Sequence, residues 1–65
     1  MIRVRNRQSG HEITLEGPKT VYQLLKELNL VEGAVLVMKD GELLTRDVRL
    51  ERDDFVELIP VISGG

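Results

Sequence analysis

A chain of 65 residues with no cysteine and one histidine, His11, lacks both of the staples that small folds commonly add, disulfides and structural metals. A chain of this length buries only about 60% of the surface its unfolded form exposes, so its stability margin is thin. The fold must therefore rest on one core of aliphatic side chains. The composition allows that: hydrophobic residues make up 42% of the sequence and prolines number only two, which is globular and not disordered. There is room for one domain.

Charge narrows the field of partners. Nine Lys and Arg stand against eleven Asp and Glu, for a net charge of −2, with the signs interleaved along the chain. A nucleic-acid binder normally carries a basic excess and aromatic side chains for stacking, whereas here Tyr22 and Phe55 are the only aromatics and lie far apart. The longest apolar run, Ala34 to Met38, falls well short of the roughly 20 residues of a membrane span. No basic-then-apolar opening with a small-residue cleavage site suggests a signal peptide. The expectation is a soluble, cytoplasmic monomer with no direct contact to nucleic acid or membrane.

The first sixteen residues read as a hairpin. Ile2 and Val4 alternate with Arg3, Arg5 and Arg7, and Ile13 and Leu15 alternate with Glu12, Thr14 and Glu16, around a Ser9-Gly10 turn. That turn sets Gln8 opposite His11, and so Arg7 opposite Glu12, Arg5 opposite Thr14 and Arg3 opposite Glu16. Gly17-Pro18 stops the second strand. Thr20 and Gln23 form a T-x-x-Q capping box, followed by Val21, Leu24, Leu25 and Leu28 at the spacing of one helical face. The predicted helix runs from Val21 to about Asn29, with Gly33 marking the exit from the connection behind it. Ala34 to Met38 is rich in β-branched residues and reads as a central strand buried on nearly both faces.

Asp40-Gly41 is a strong hairpin signal that returns the chain through Leu43 and Leu44. Thr45 to Leu50 fits a short strand or an irregular crossing equally well. After an Asp53-Asp54 turn, Phe55 to Ile59 forms the last strand, with Val56 and Leu58 on one side, Glu57 outside, and Pro60 limiting the ladder at its end. The order is β-β-α-β-β-β. This predicts an α+β domain with one helix across one face of a mixed sheet, and the first and last strands side by side and parallel at its centre.

Chemistry is scarce along this chain. Nucleophilic catalysis needs a hydroxyl or thiol with a base in reach, and Ser9 and Ser63 are the only serines; His11 beside Ser9 reads as a solvated hairpin residue. Glu51, Asp53 and Asp54 form a loose carboxylate group that turn chemistry explains better than a metal. No catalytic residue and no metal site is expected, and the chain does not read as an enzyme. Arg3, Arg5 and Arg7 read as a solvated stripe paired with Glu12, Glu16 and Glu57, or as a docking patch for an acidic partner. The feature that stands out is Gly64-Gly65. At ordinary glycine frequency two such residues together arise by chance about once in 200. A frayed end explains small terminal residues in general, but these follow a strand expected to point out of the domain.

That strand order, with the ending Leu58-Ile59-Pro60-Val61-Ile62-Ser63-Gly64-Gly65 and the Lys39-Asp40-Gly41 hairpin, resembles the β-grasp sulfur-carrier and ubiquitin-like family over the whole chain. That family includes the thiamine sulfur carriers, the small subunit of molybdopterin synthase, ubiquitin-related modifiers and small archaeal modifier proteins. It often has Gly-Asp where this chain has Asp53-Asp54. The resemblance implies a β-grasp domain over residues 1–60 and a Gly-Gly tail over 61–65. It implies that an ATP-dependent enzyme adenylates the Gly65 carboxylate, with Gly64 beside it. Sulfur then converts the adenylate to a thiocarboxylate, or a lysine takes it as an isopeptide.

The chain would hold no cofactor itself, ATP being used by the adenylating partner. Its other partners would be a sulfur donor such as a persulfide-bearing protein and a downstream synthase or thiolase. Ile59, Pro60, Val61, Ile62 and Ser63 are the expected partner-binding stretch; for Ile59 and Val61 the plainer reading is a cap on the edge of the core. Three functions remain open at this point. They are a sulfur carrier for thiamine, molybdopterin or tRNA thiolation, a protein modifier joined to lysines, and a stand-alone interaction module.

Overall fold

In the computed structural model the described residues are 1–61. Strands β1 (Ile2–Asn6), β2 (Glu12–Leu15), β4 (Val35–Lys39), β5 (Glu42–Leu44) and β7 (Phe55–Pro60) form one five-stranded sheet in the order β2-β1-β7-β4-β5. Two short strands, β3 (Lys19–Thr20) and β6 (Arg49–Leu50), pair as a separate ribbon. The helix α1 (Val21–Glu27) lies over one sheet face, and a 3₁₀ turn (Glu32–Ala34) leads into β4. As expected, β1 and β7 are adjacent and parallel, with Val4 opposite Val56 and Arg5 opposite Glu57.

The helix starts where its cap requires. Thr20 Oγ1 accepts from the Gln23 N–H and Gln23 Oε1 accepts from the Thr20 N–H, so each end of the capping box satisfies the other. The next two orphan donors, the N–H groups of Val21 and Tyr22, bond to the carbonyls of Val48 and Arg46. The stretch 45–50, unreadable in sequence, thus completes the helix N-terminus while Leu50 enters the core fully buried. The helix ends two residues earlier than expected. Asn29 takes φ +61°, and the Leu30 and Asn29 N–H groups bond to the carbonyls of Leu25 and Lys26, which is a Schellman motif. Gly33 lies inside the 3₁₀ turn.

The first hairpin forms, but in another register. Arg5 lies opposite Glu12, Arg3 opposite Thr14 and Val4 opposite Ile13, two residues away from the expected pairing. The cause is Asn6. Its side-chain oxygen accepts from the N–H groups of Gln8 and Ser9, its carbonyl accepts from the Gly10 N–H, and Gly10 adopts φ +80°. The loop is therefore four residues, Arg7 to Gly10, instead of the two-residue Ser9-Gly10 turn. A shift of two keeps every side chain on its expected face, which is why the burial pattern survived the error. Arg7 falls in the loop and leaves the arginine stripe two residues long.

The second correction concerns β4. Val35 and Val37 are buried, but Leu36 is exposed and Met38 is half-buried, so this strand is covered on one face only. One seven-residue helix covers one side of the sheet. The core it seals contains Ile2, Val4, Leu24, Leu50, Val56 and Leu58 among others. The second hairpin turns as expected through Asp40 (φ +52°) and Gly41 (φ +80°), with Lys39 opposite Glu42.

Gly17 passes tightly behind this core. A Cβ there would sit 2.9 Å from Ile2 Cδ1 and 3.3 Å from the Arg52 Cα, and Ile2 is fully buried with nowhere to retreat. Gly17→Ala is expected to cost about 1–3 kcal/mol, the usual range for overpacking, read as a lowered urea midpoint at unchanged slope. A second clamp holds the turn before β7. Asp54 accepts from the Glu51 N–H at 2.7 Å and pairs with Lys39 Nζ at 2.9 Å. These two contacts, the backbone bond foremost, hold the Asp54 carboxyl below its ordinary value of 3.8. Its contribution to stability is thus present above that value and is lost as pH falls through the lower, folded-state pKa. Asp54→Asn should flatten the acid limb of the stability-pH curve and, because Asp54 also holds the Lys39 pKa above its ordinary value, lessen the loss of stability at alkaline pH, leaving the neutral part parallel to the parent.

Candidate functional site

The site is built on β7 and the point where the chain leaves the sheet. Strand β7 is bonded on both sides, parallel to β1 and antiparallel to β4. Its alternate residues face different neighbours. Asp54 and Leu58 carbonyls accept from the Arg3 and Arg7 N–H groups on the β1 side, while the Val61 N–H bonds to the Ala34 carbonyl on the β4 side at 2.9 Å. By the same alternation the missing N–H of Pro60 falls on the β1 side, where β1 has ended at Asn6. Proline therefore costs no ladder bond at this position. The chain leaves past Pro60 tied on one side only.

Of the five residues expected to meet a partner, the described part holds three. Ile59 and Pro60 are half-buried, and Val61 is 45% exposed. Pro60 pairs with Val35 and so shares the helix-side face, whereas Ile59 pairs with Leu36 on the opposite, open face. Ile62, Ser63, Gly64 and Gly65 lie outside the described residues. The open face carries more apolar surface than the sequence suggested. Leu36 (40% exposed) lies beside Ile59, and Leu43 (59% exposed) lies opposite Met38 in the neighbouring row. These four residues form one patch that leads to the exit of the chain. Contiguous exposed apolar patches are in general where proteins meet their partners. Leu36, Met38 and Leu43 were missed because an all-apolar run shows no alternation. The available signal was that a single short helix cannot cover both faces of a sheet.

The remaining candidates resolve into structure. Arg3 pairs with Glu12, diagonal to it across the strands, at 3.2 Å and lies over the Phe55 ring at 4.9 Å. Among the described residues neither Glu16 nor Glu57 forms an ion pair with the stripe. The Ser9 hydroxyl accepts from the His11 backbone N–H and so serves the loop. Asp54 is taken up by the Glu51 N–H and Lys39, and among the described residues no group of three His, Asp or Glu side chains is placed to hold a metal. No helix among them is long and apolar enough to cross a membrane.

A five-stranded mixed sheet gripping one helix, with parallel first and last strands at its centre, defines a β-grasp protein. Comparison with known proteins narrows this. The family model described as the ThiS family matches residues 3–65. The chain is also 32% identical, over 54 residues, to the sulfur carrier protein TtuB of Thermus thermophilus, a match covering 83% of each chain. This chain belongs to the ThiS family of β-grasp sulfur carriers. It is not itself an enzyme: a member of such a family is the substrate that activating enzymes act upon.

Proposed function

We propose that this protein carries sulfur as a thiocarboxylate on Gly65. The observation that carries the reading is the match of the family model through residue 65, the second glycine of the Gly64-Gly65 pair. A carboxylate is a poor electrophile because its leaving group would be oxide. Adenylation by an ATP-dependent partner replaces oxide with AMP, and sulfur attack on the acyl carbon then expels AMP and leaves the thiocarboxylate. Glycines suit a segment that must thread another protein's channel, since they take dihedrals closed to other residues. With no cysteine in the chain, the sulfur must come from sulfide, which gives the thiocarboxylate directly, or from a partner's persulfide. Attack by the persulfide gives an acyl disulfide that a second thiol of a partner cleaves, releasing the thiocarboxylate and leaving a disulfide between the two thiols. The chain holds no cofactor in this scheme; ATP is bound and spent by the activating enzyme. The final acceptor, whether a thiamine precursor, molybdopterin or tRNA, is selected by the downstream partner, because the same tail chemistry serves all three.

In this reading residues 1–60 are the handle and 61–65 the working end. The apolar patch of Ile59, Leu36, Met38 and Leu43, with Pro60 and Val61 at its border and Ile62 and Ser63 beyond, is the surface the activating enzyme grips. Its position beside the exit of β7 supports that role. Ile59→Asp should leave the domain folded, since the residue lies on the open face outside the helix-covered core, and weaken binding to the activating enzyme at least tenfold in a calorimetric titration. Unchanged affinity would remove the patch from the interface.

The decisive experiment is the intact mass of the protein purified from its native cell. A species heavier by one oxygen-for-sulfur exchange, mapped to Gly65 by fragmentation, is the expected result. Unmodified protein together with Gly-Gly remnants on lysines of other proteins would favour the modifier. Neither signal, in cells that contain the activating enzyme, would leave an interaction module.

A further inference from the structure

The sheet has two free edges, and they are not equivalent. On β2 the Asn6 N–H donates to the His11 carbonyl, so Val4–Ile13 and Ile2–Leu15 are the bonded pairs of this antiparallel ladder. The N–H and C=O groups of Glu12 and Thr14 therefore point away from β1, along the outer edge. On β5, the Lys39–Glu42 pair closes the two-residue turn, and by the same alternation only Leu43 presents its backbone groups outward. Strand β2 thus offers a template for another strand, and β5 barely does.

Beside that edge, on the helix side, lies a groove of about 300 Å³ bounded by Val4, Ile13, Leu28, Leu30 and Leu58, with His11 on its rim. Ile13 and Leu30 are 44% and 39% exposed, large apolar side chains left open next to unpaired backbone. On the other side of the same edge, Glu12 and Glu16 are exposed; Glu12 shares its carboxylate with Arg3 of β1, and among the described residues Glu16 has no cationic partner. A strand laid along β2 would send alternate side chains to these two environments, one set into the apolar groove and the other against carboxylates.

We infer that the β2 edge is a second docking surface, and that it takes an extended segment of another protein in which apolar and basic residues alternate. A second copy of this chain is a poor occupant, because antiparallel pairing about Thr14 would set Glu12 against the Glu16 of its partner. The edge is separated from β7 by β1, so this contact leaves the exit of the chain and the apolar patch free. The inference is independent of the sulfur chemistry proposed for Gly65. A carrier held at β2 can keep its other face and its end available to a different protein.

The test is a titration of the isotope-labelled full-length chain with a blocked heptapeptide alternating valine and lysine, followed by NMR. An otherwise identical peptide alternating valine and glutamate is the control. The expected result is that the amides of Glu12 and Thr14 and the groove residues shift and become protected from exchange, with the lysine peptide binding at least about tenfold more tightly than the control. Thr14→Pro deletes one outward N–H without touching the β1 ladder and should weaken binding at least about fivefold. Ile13→Thr, which shortens the groove wall while keeping a strand-forming residue, should do the same if the proline variant fails to fold. Ile59→Asp should change nothing here. No binding, equal binding of the two peptides, shifts centred on β5, or full binding by both the Thr14 and Ile13 variants would overturn the inference. Concentration-dependent shifts of the same amides without peptide would also overturn it, by giving the edge to a second copy.

Discussion

The parallel pairing of β1 with β7 is the contact on which the rest of this structure hangs. It joins residues more than fifty positions apart, Arg3 with Phe55 and Asn6 with Leu58, and it places β7 where both of its edges are bonded. Three consequences follow from that one arrangement. Val4, Val56 and Leu58 meet at the centre of the core; the chain must leave the sheet beside Ala34; and Pro60 can end the strand without stranding a donor. Such a non-local contact carries a loop-closure cost that local hairpins and a seven-residue helix must help to offset.

The second governing fact is economy of cover. A single helix of seven residues shields one face of five strands, and the C-terminal Schellman turn at Asn29 prevents it from reaching further. Everything available for recognition lies where that cover stops. The open face keeps Leu36, Leu43 and Ile59 in contact with solvent next to the exit of the chain, and the β2 side keeps a groove between Ile13 and Leu30. In a domain too small for a deep pocket, function resides in edges, faces and ends. That suits a member of a family of small sulfur carriers.

How much of this was legible depended on how local the cause was. The capping box, the Asp40-Gly41 turn and the alternation in Phe55 to Ile59 are short-range patterns, and the structure reproduces them. The two-residue slip of the first hairpin came from weighing cross-strand charge pairs above turn chemistry. Exposed ion pairs contribute little, whereas the Asn6 side chain satisfies two loop donors at once and decides the register. The ribbon of Lys19–Thr20 with Arg49–Leu50 had no pattern to find. Its two halves lie thirty residues apart in sequence, and each is two residues long.

For the proposed site, the sequence offered Gly64-Gly65 and the apolar run before it, a short local motif whose meaning came from the family it resembles. It also determined the fold class, since a short cysteine-free chain with one amphipathic helix among alternating strands has few ways to bury its aliphatic residues. What only the tertiary structure decided was which apolar residues are core and which are surface. Val35 and Leu36 are neighbours of the same chemical kind, yet one is sealed under the helix and the other faces out beside Ile59. Strand pleating sends them to opposite faces, and only the placement of the helix makes one face the inside.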